Sequence, residues 1–360
     1  MNVPGYLARL AATGKAATLE AMRLAGAFER LGRSNWRRER LLILCYHGVS
    51  QADEHLWSDV YVSEQHLRRR LQTLQRFGCS VLPLDEAVGR LSAGTLPERA
   101  VSLTFDDGAV DFYRKAYPLL SEYRYPVTLY LTTYYCTFQR PVFSTVSSYL
   151  LWKGRDKQVD MEGLTTEGGT VGPGASPALR GQVHGSLLRC VSERGLSAGE
   201  KDELARTLAS RVGVDYDEIL ESRLLHLMNP HEVRALSQSL VSIQLHTHRH
   251  RTPLDRELFR RELADNRDAI RSMGAGTAKL HHFCYPSGRY APRLMDWLRE
   301  DGITTATTCD PRLATRECER LLLPRFVDAM GVSDTAFTAW LSGACELLPK
   351  RSWLRELDEP

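Results

Sequence analysis

The sequence lacks paired thiol motifs, long apolar runs and any strong bias of charge. Its eight cysteines (45, 79, 136, 190, 284, 309, 318 and 345) are scattered, and no two form a C-x-x-C pair. Several lie inside apolar runs, as in Leu44-Cys45-Tyr46 and Phe283-Cys284-Tyr285. That is how small buried hydrophobes are used in a reducing compartment. No segment approaches the roughly 18 apolar residues of a membrane span. Arg9, Lys15, Glu20 and Arg23 interrupt the apolar positions near the start, so a secretory signal with a continuous apolar centre is missing. A cytoplasmic protein is expected. Net charge is only +3, which excludes the basic surplus of a nucleic-acid binder. With 25% charged and 43% apolar residues, the composition is that of an ordinary soluble globular protein. Its 360 residues suffice for one large α/β domain of about 250 residues with additions.

What is present begins with a basic stretch. Leu7, Leu10, Ala11, Leu24, Ala25, Phe28 and Leu31 recur at helical spacing within residues 1–40. Lys and Arg outnumber Glu there by eight to three. Such a helical segment either makes peripheral contact with an anionic membrane, here the inner face, or packs on the main domain with its basic side in solvent. From Leu41 to about residue 330, strand-like runs alternate with helical ones. The strands read as 41–46, 80–83, 100–103, 126–133, 240–245, 282–285, 303–308 and 321–325. Helices read as 64–77, Asp85 (as cap) to Leu91, 109–123, 255–273 and 291–301. This alternation predicts parallel strands with crossover helices. Residues 134–228 break the rhythm. An aromatic start (Tyr134, Tyr135, Phe138, Phe143, Tyr149, Trp152), a glycine-rich stretch and two helical patterns predict a mostly helical insertion acting as a lid. Its aromatics either stack on a sugar ring or form the insertion's own core. Residues 331–360 read as a C-terminal helix and tail.

The chemistry concentrates where strands end. Thr104-Phe105-Asp106-Asp107-Gly108 puts two adjacent carboxylates after an apolar strand. Strand carboxyl ends are where parallel α/β proteins build their sites. Neighbouring carboxylates repel, and a metal ion resolves the conflict if one Asp binds it while the other stays free as a base. The complementary half is His246-Thr247-His248-Arg249-His250, which also follows a strand. Two imidazoles and a carboxylate suit a divalent transition metal and leave a coordination position open. A helical turn after the strand would put His246 and His250 on one face, an extended segment His246 and His248; Thr252-Pro253 bars much further strand and favours the turn. Thr247 is placed to fix an imidazole tautomer. His47, at another strand's end before Gly48, is the candidate acid. Backbone N–H groups around Tyr285 are candidate oxyanion donors. Arg289 or Arg325 would hold the base ionised by charge pairing.

Together these motifs resemble the NodB-homology polysaccharide deacetylases. Thr104–Gly108 reproduces that family's T-F-D-D-G motif, and His246–His250 its H-[ST]-x-x-H motif. The resemblance covers about Leu41 to Val327 without the insertion. It implies a distorted (β/α) barrel of seven or eight parallel strands. It also implies Asp106 as base, with Asp107, His246 and His250 binding a divalent metal, Zn²⁺. The R-x-x-[FY]-R-x-P-[YFW] motif of the chitin-deacetylase branch is missing. Tyr285-Pro286-Ser287-Gly288 instead looks like the Y-P-x-G form of the branch acting on poly-N-acetylglucosamine, whose early Tyr-His pair fits Tyr46-His47. The late acid histidine of the other branch is absent: Leu321–Arg325 holds Arg325 and no His. The implied activity is hydrolytic removal of an N-acyl group, N-acetyl above all, from an amino sugar in a glycan, glycolipid or activated-sugar precursor. Two alternatives remain: deformylation or amide hydrolysis of a non-polymeric substrate, and a silent barrel that only binds glycans.

Overall fold

Strands that are apolar on both faces can be buried only in a sheet covered on both sides, and helix crossovers build that sheet parallel. The computed structural model, which describes residues 15–236, 240–274, 279–348 and 355–356, has this architecture. Its principal strands are β1 (Leu42–Tyr46), β2 (Ser80–Val81), β3 (Ala100–Phe105), β4 (Val127–Leu131), β5 (Val241–Leu245), β6 (His282–Cys284), β7 (Thr305–Thr307) and β8 (Phe326–Val327). Seven follow one path, β7-β6-β5-β4-β3-β1-β8, and every pairing is parallel. β2 pairs with the first residues of β3, ahead of where β4 begins to pair. A single parallel bridge, Thr307 to Leu323, joins the open edge at β7 to the segment leading into β8. The result is a distorted half-barrel with helices around it. β1, β3 and β4 are buried along their whole length.

Several elements differ from their sequence expectation for identifiable reasons. The helix expected from residue 109 runs through a π turn, Phe112–Ala116, before its α-helical stretch Tyr117–Tyr123. Pro118 cannot donate an i→i−4 bond, and a widened turn accommodates that loss. Asp85 lies in the first turn of the helix Leu84–Ala93, whose cap is Pro83. The last strand begins at Phe326 rather than 321. Pro324 has no N–H for the ladder, and Arg320–Leu322 form a 3₁₀ turn capped by Glu319.

The basic N-terminal stretch is three short helices, Lys15–Leu24, Ala27–Gly32 and Asn35–Arg38, with left-handed Gly26 between the first two. The repeats at Leu7, Leu10 and Ala11 lie outside the described residues. Leu19 and Phe28 are buried, and the Thr335 hydroxyl donates to Glu20. Arg37, fully buried, donates to the carbonyls of Leu341 and Ala100 at 2.9 and 3.1 Å. The segment thus packs Leu19, Phe28 and Arg37 into the barrel unit, while Arg23, Arg30, Arg33 and Arg38 stay exposed. Among the described residues, no helix is long and apolar enough to cross a membrane.

The chain forms two compact units, one of residues 1–137 with 228–360, the other Phe138–Leu227. The second holds the helices Phe143–Lys153, Pro177–Glu193, Ala198–Val212 and Tyr216–Ser222, and one short antiparallel pair. Phe143, Val146, Tyr149, Leu150, Leu187, Leu208 and Ile219 are buried. Two of the aromatics named above, Phe143 and Tyr149, thus belong to a hydrophobic interior.

Candidate active site

The strand ends bring the two motifs together. β3 delivers Asp106 and Asp107, and β5 delivers His246 and His250. The Asp107 Oδ1 lies 3.2 Å from His246 Nε2 and 3.1 Å from His250 Nε2. The backbone achieves this through turns that sequence periodicity does not reveal. Asp107 and Gly108 have φ of 71° and 84°, Thr247 and His250 of 62° and 54°. His246 and His250 therefore converge from an irregular loop, not from the expected helical turn. His248 faces elsewhere, with Nδ1 2.8 Å from the Thr133 hydroxyl.

Gly108 is required where it stands. Its φ is left-handed, and a Cβ there would come within 2.2 Å of Leu131 Cδ1, a fully buried side chain. Gly108→Ala is expected to cost about 2 kcal/mol in unfolding free energy, from backbone strain and overpacking. Metal affinity should weaken with it, because Asp107 shares the turn. Urea unfolding and zinc titration check both effects.

Electrostatics separate the two carboxylates. Burial disfavours the charge on Asp106, but Arg325 outweighs it, and the carboxyl is held far below its ordinary value. Arg325 grips it with two parallel bonds of 2.7 Å, and both side chains are buried. Arg325 lies one residue before Phe326, which is in register with Leu44 of β1, so its guanidinium reaches the site from within the barrel. Its other bonds, to the Thr308 carbonyl and the Thr104 hydroxyl, fix the fork. Arg289, the other candidate, is exposed. His47 Nε2 is 3.8 Å from Asp106 Oδ2.

Asp107 has a different environment. Its Oδ1 is buried without a hydrogen-bond partner. His246 Nδ1 donates to the Cys284 carbonyl at 2.8 Å, which leaves Nε2 as a bare acceptor in the neutral ring. Acceptors facing one another at this distance call for a cation between them. Burial works against protonation of His246, yet Cys284 and Asp107 raise its proton affinity well above the ordinary imidazole value. Asp107, His246 and His250 place one ligand atom each within 4.8 Å of one another, a donor set that fits a divalent transition metal. The His246 tautomer is set by the Cys284 carbonyl. Thr247, expected in that role, instead accepts from the Arg251 amide.

Tyr285 follows β6. Its own N–H donates to the Thr307 carbonyl, and Pro286 after it has no N–H. Four supporting residues escaped the sequence reading. Asn266 accepts from the His246 amide and donates to the Leu131 carbonyl and Thr133 hydroxyl. Buried Glu262 accepts from the Arg249 amide and guanidinium and from Arg251, bracing the histidine loop. Asp111 accepts from the Val49 amide beside the His47 turn, and burial pushes its carboxyl well up. The Cys284 thiol sits 3.3 Å from Asp106 Oδ2. The signal for the first two was available: Glu262 and Asn266 interrupt the stripe Phe259, Leu263, Ile270 on the buried face of the helix Arg256–Ser272.

Comparison with known proteins agrees with this geometry. The polysaccharide deacetylase family model matches residues 93–148 and 208–306. YxkH of Bacillus subtilis is 31% identical over 93 residues, covering 26% of this chain and 32% of that protein. The poly-beta-1,6-N-acetyl-D-glucosamine N-deacetylase of Staphylococcus epidermidis is 32% identical over 72 residues, covering 20% of this chain and 25% of its own length. The alignments thus span a third or less of these curated relatives. Among solved structures, Streptococcus pyogenes deacetylase PplD in complex with acetate superposes with a TM-score of 0.54 at 18% identity, covering 84% of this chain and 98% of that one. IcaB from Ammonifex degensii gives 0.51 at 17% identity, with 84% and 97% covered. Motif, partial family match and fold agree, and the barrel of this chain is similar to the polysaccharide deacetylase (NodB) family.

Proposed function

We propose that the protein is a metal-dependent hydrolase that removes an N-acetyl group from an amino sugar in a glycan, glycolipid or activated-sugar precursor. The observation that carries this reading is the division of labour between adjacent carboxylates: Asp106 is bound by Arg325, while Asp107 faces two imidazoles. A Staphylococcus relative acts on poly-β-1,6-N-acetylglucosamine, and the PplD structure holds acetate, the expected product. The early Tyr46-His47 pair supports the same branch.

Each residue then has a chemical task. Asp107, His246 and His250 would hold a divalent cation, Zn²⁺ by donor type, which would supply Lewis acidity toward the amide carbonyl and the attacking water. Asp106 accepts the proton from that water, and Arg325 keeps it ionised until then. His47 returns a proton to the leaving amine. The tetrahedral oxyanion is met by backbone N–H groups near Tyr285, other than the amides of Tyr285 and Gly288, which donate to the Thr307 and Tyr285 carbonyls.

Acetate release from N-acetylated β-1,6-glucosamine oligomers and from lipid-linked or nucleotide-linked N-acetyl sugars tests this reading, with formate release measured alongside. Asp106→Asn should lower kcat by about 10²–10⁴-fold while zinc binding persists. Acetate release that Asp106→Asn leaves unchanged would sink the mechanism. Release of formate but not acetate would move the substrate to a different acyl group.

A further inference from the structure

At the other end of β6 from Cys284 lies a second cluster with the same chemical logic. Asp85, in the first turn of the helix Leu84–Ala93, approaches His281 Nε2 at 3.1 Å and His282 Nε2 at 3.6 Å. One ligand atom from each lies within 4.8 Å of the others. His281 Nδ1 is 2.8 Å from the Lys279 carbonyl, which can only accept, so the proton sits on Nδ1 and Nε2 is left bare. His282 Nδ1 bonds the Thr305 hydroxyl, and its Nε2 is buried with no hydrogen-bond partner. The backbone is pinned too: Gln244 Oε1 accepts from both the His281 and His282 amides. Its Nε2 ties back to Ser242 and Lys279.

We propose that Asp85, His281 and His282 form a second divalent transition-metal site, separate from the candidate active site. His282 opens β6 at its amino end, whereas the catalytic candidates gather at strand carboxyl ends. Two nitrogens and one carboxylate oxygen with water completing the shell suit Zn²⁺. His282 then presents its Nε2 lone pair, with the Nδ1 proton donated to Thr305. The ion enters from the Asp85 side, where the carboxylate is 76% exposed, and the imidazoles behind it are already fixed. Arg320 contributes an opposing positive field, which limits affinity without occupying the site. A bound ion would clip the helix Leu84–Ala93 to β6.

The test is zinc stoichiometry on metal-stripped full-length protein by equilibrium dialysis, with unfolding temperature as the second readout. Wild type should bind two Zn²⁺ per chain and Asp107→Ala one. Zinc should still raise the unfolding temperature of Asp107→Ala. Adding Asp85→Asn or His281→Gln should weaken that remaining site by at least about 10-fold and abolish the shift. Both substitutions lie at partly exposed side chains, and circular dichroism of the zinc-free variants checks that they fold. One Zn²⁺ per chain in wild type, lost in Asp107→Ala, would overturn the proposal. So would a second ion indifferent to both Asp85→Asn and His281→Gln. One ion lost with Asp85→Asn but kept in Asp107→Ala would support this site and count against the proposed catalytic one.

Discussion

Arg325→Met is expected to lower the stability of the barrel unit by about 3–5 kcal/mol at pH 7. The substitution keeps the volume and removes the guanidinium that grips a buried carboxylate. The pH dependence gives the mechanism away. In the wild type Asp106 is depressed, so its ionisation contributes stability above the unfolded-state carboxylate value of about 4. That contribution disappears only as pH falls through the far lower folded value. In the variant burial persists without its partner, and the carboxyl moves up instead. A raised group contributes stability at low pH and loses it as pH rises. The gap between wild type and variant should therefore widen from pH 5 to pH 8 in urea unfolding. A gap that stays below about 1 kcal/mol at both values would mean that the pair is not what holds this floor together.

Asp107→Ala should have the largest effect on ligand binding, with a smaller cost in stability. Removing the only anionic member of a three-ligand set is expected to weaken zinc by more than about 100-fold, because even outer-sphere partners are worth 10–100-fold. Hydrolytic activity should fall below detection at micromolar zinc. The zinc-free variant should also lose a smaller amount of stability, because alanine tolerates the left-handed φ of 71° less well than aspartate and the lost carboxylate is what raises the proton affinity of His246. Isothermal titration and unfolding of the stripped proteins give both numbers. Wild-type zinc affinity in Asp107→Ala would remove this triad from consideration.

The residues read most reliably from sequence were those whose chemistry is local. Two adjacent carboxylates after a strand, and three histidines within five residues, announce a conflict of charge and a surplus of donors wherever they occur. Periodicity likewise located the parallel strands, because burial on both faces leaves a continuous apolar run. How the histidines converge was not legible. It depends on left-handed φ at Thr247 and His250, and non-glycine residues there give no advance notice. The choice between Arg289 and Arg325 depended on register, since only the latter enters the barrel beside Thr104. Within the basic N-terminal stretch, charge pattern could not single out Arg37, whose guanidinium is buried against backbone carbonyls while Arg23, Arg30, Arg33 and Arg38 stay exposed.

The position of the second unit in the chain has a consequence for synthesis. β4 and β5 pair along five residues, yet residues 132–240 intervene. Closing a loop of that length costs about 4 kcal/mol of chain entropy, against about 2.6 kcal/mol for a loop of roughly 20 residues. Unit 2, with its own buried interior, can fold first and act as the shorter connection. Until it does, β4 is the outer strand of a nascent sheet, and residues that are buried in the finished sheet are open on one edge. At about 5–20 residues per second, the histidine half of the site leaves the ribosome some 10 s after the carboxylate half. For that interval the chain presents an unpaired hydrophobic strand edge, the form of surface that chaperones bind and aggregates recruit.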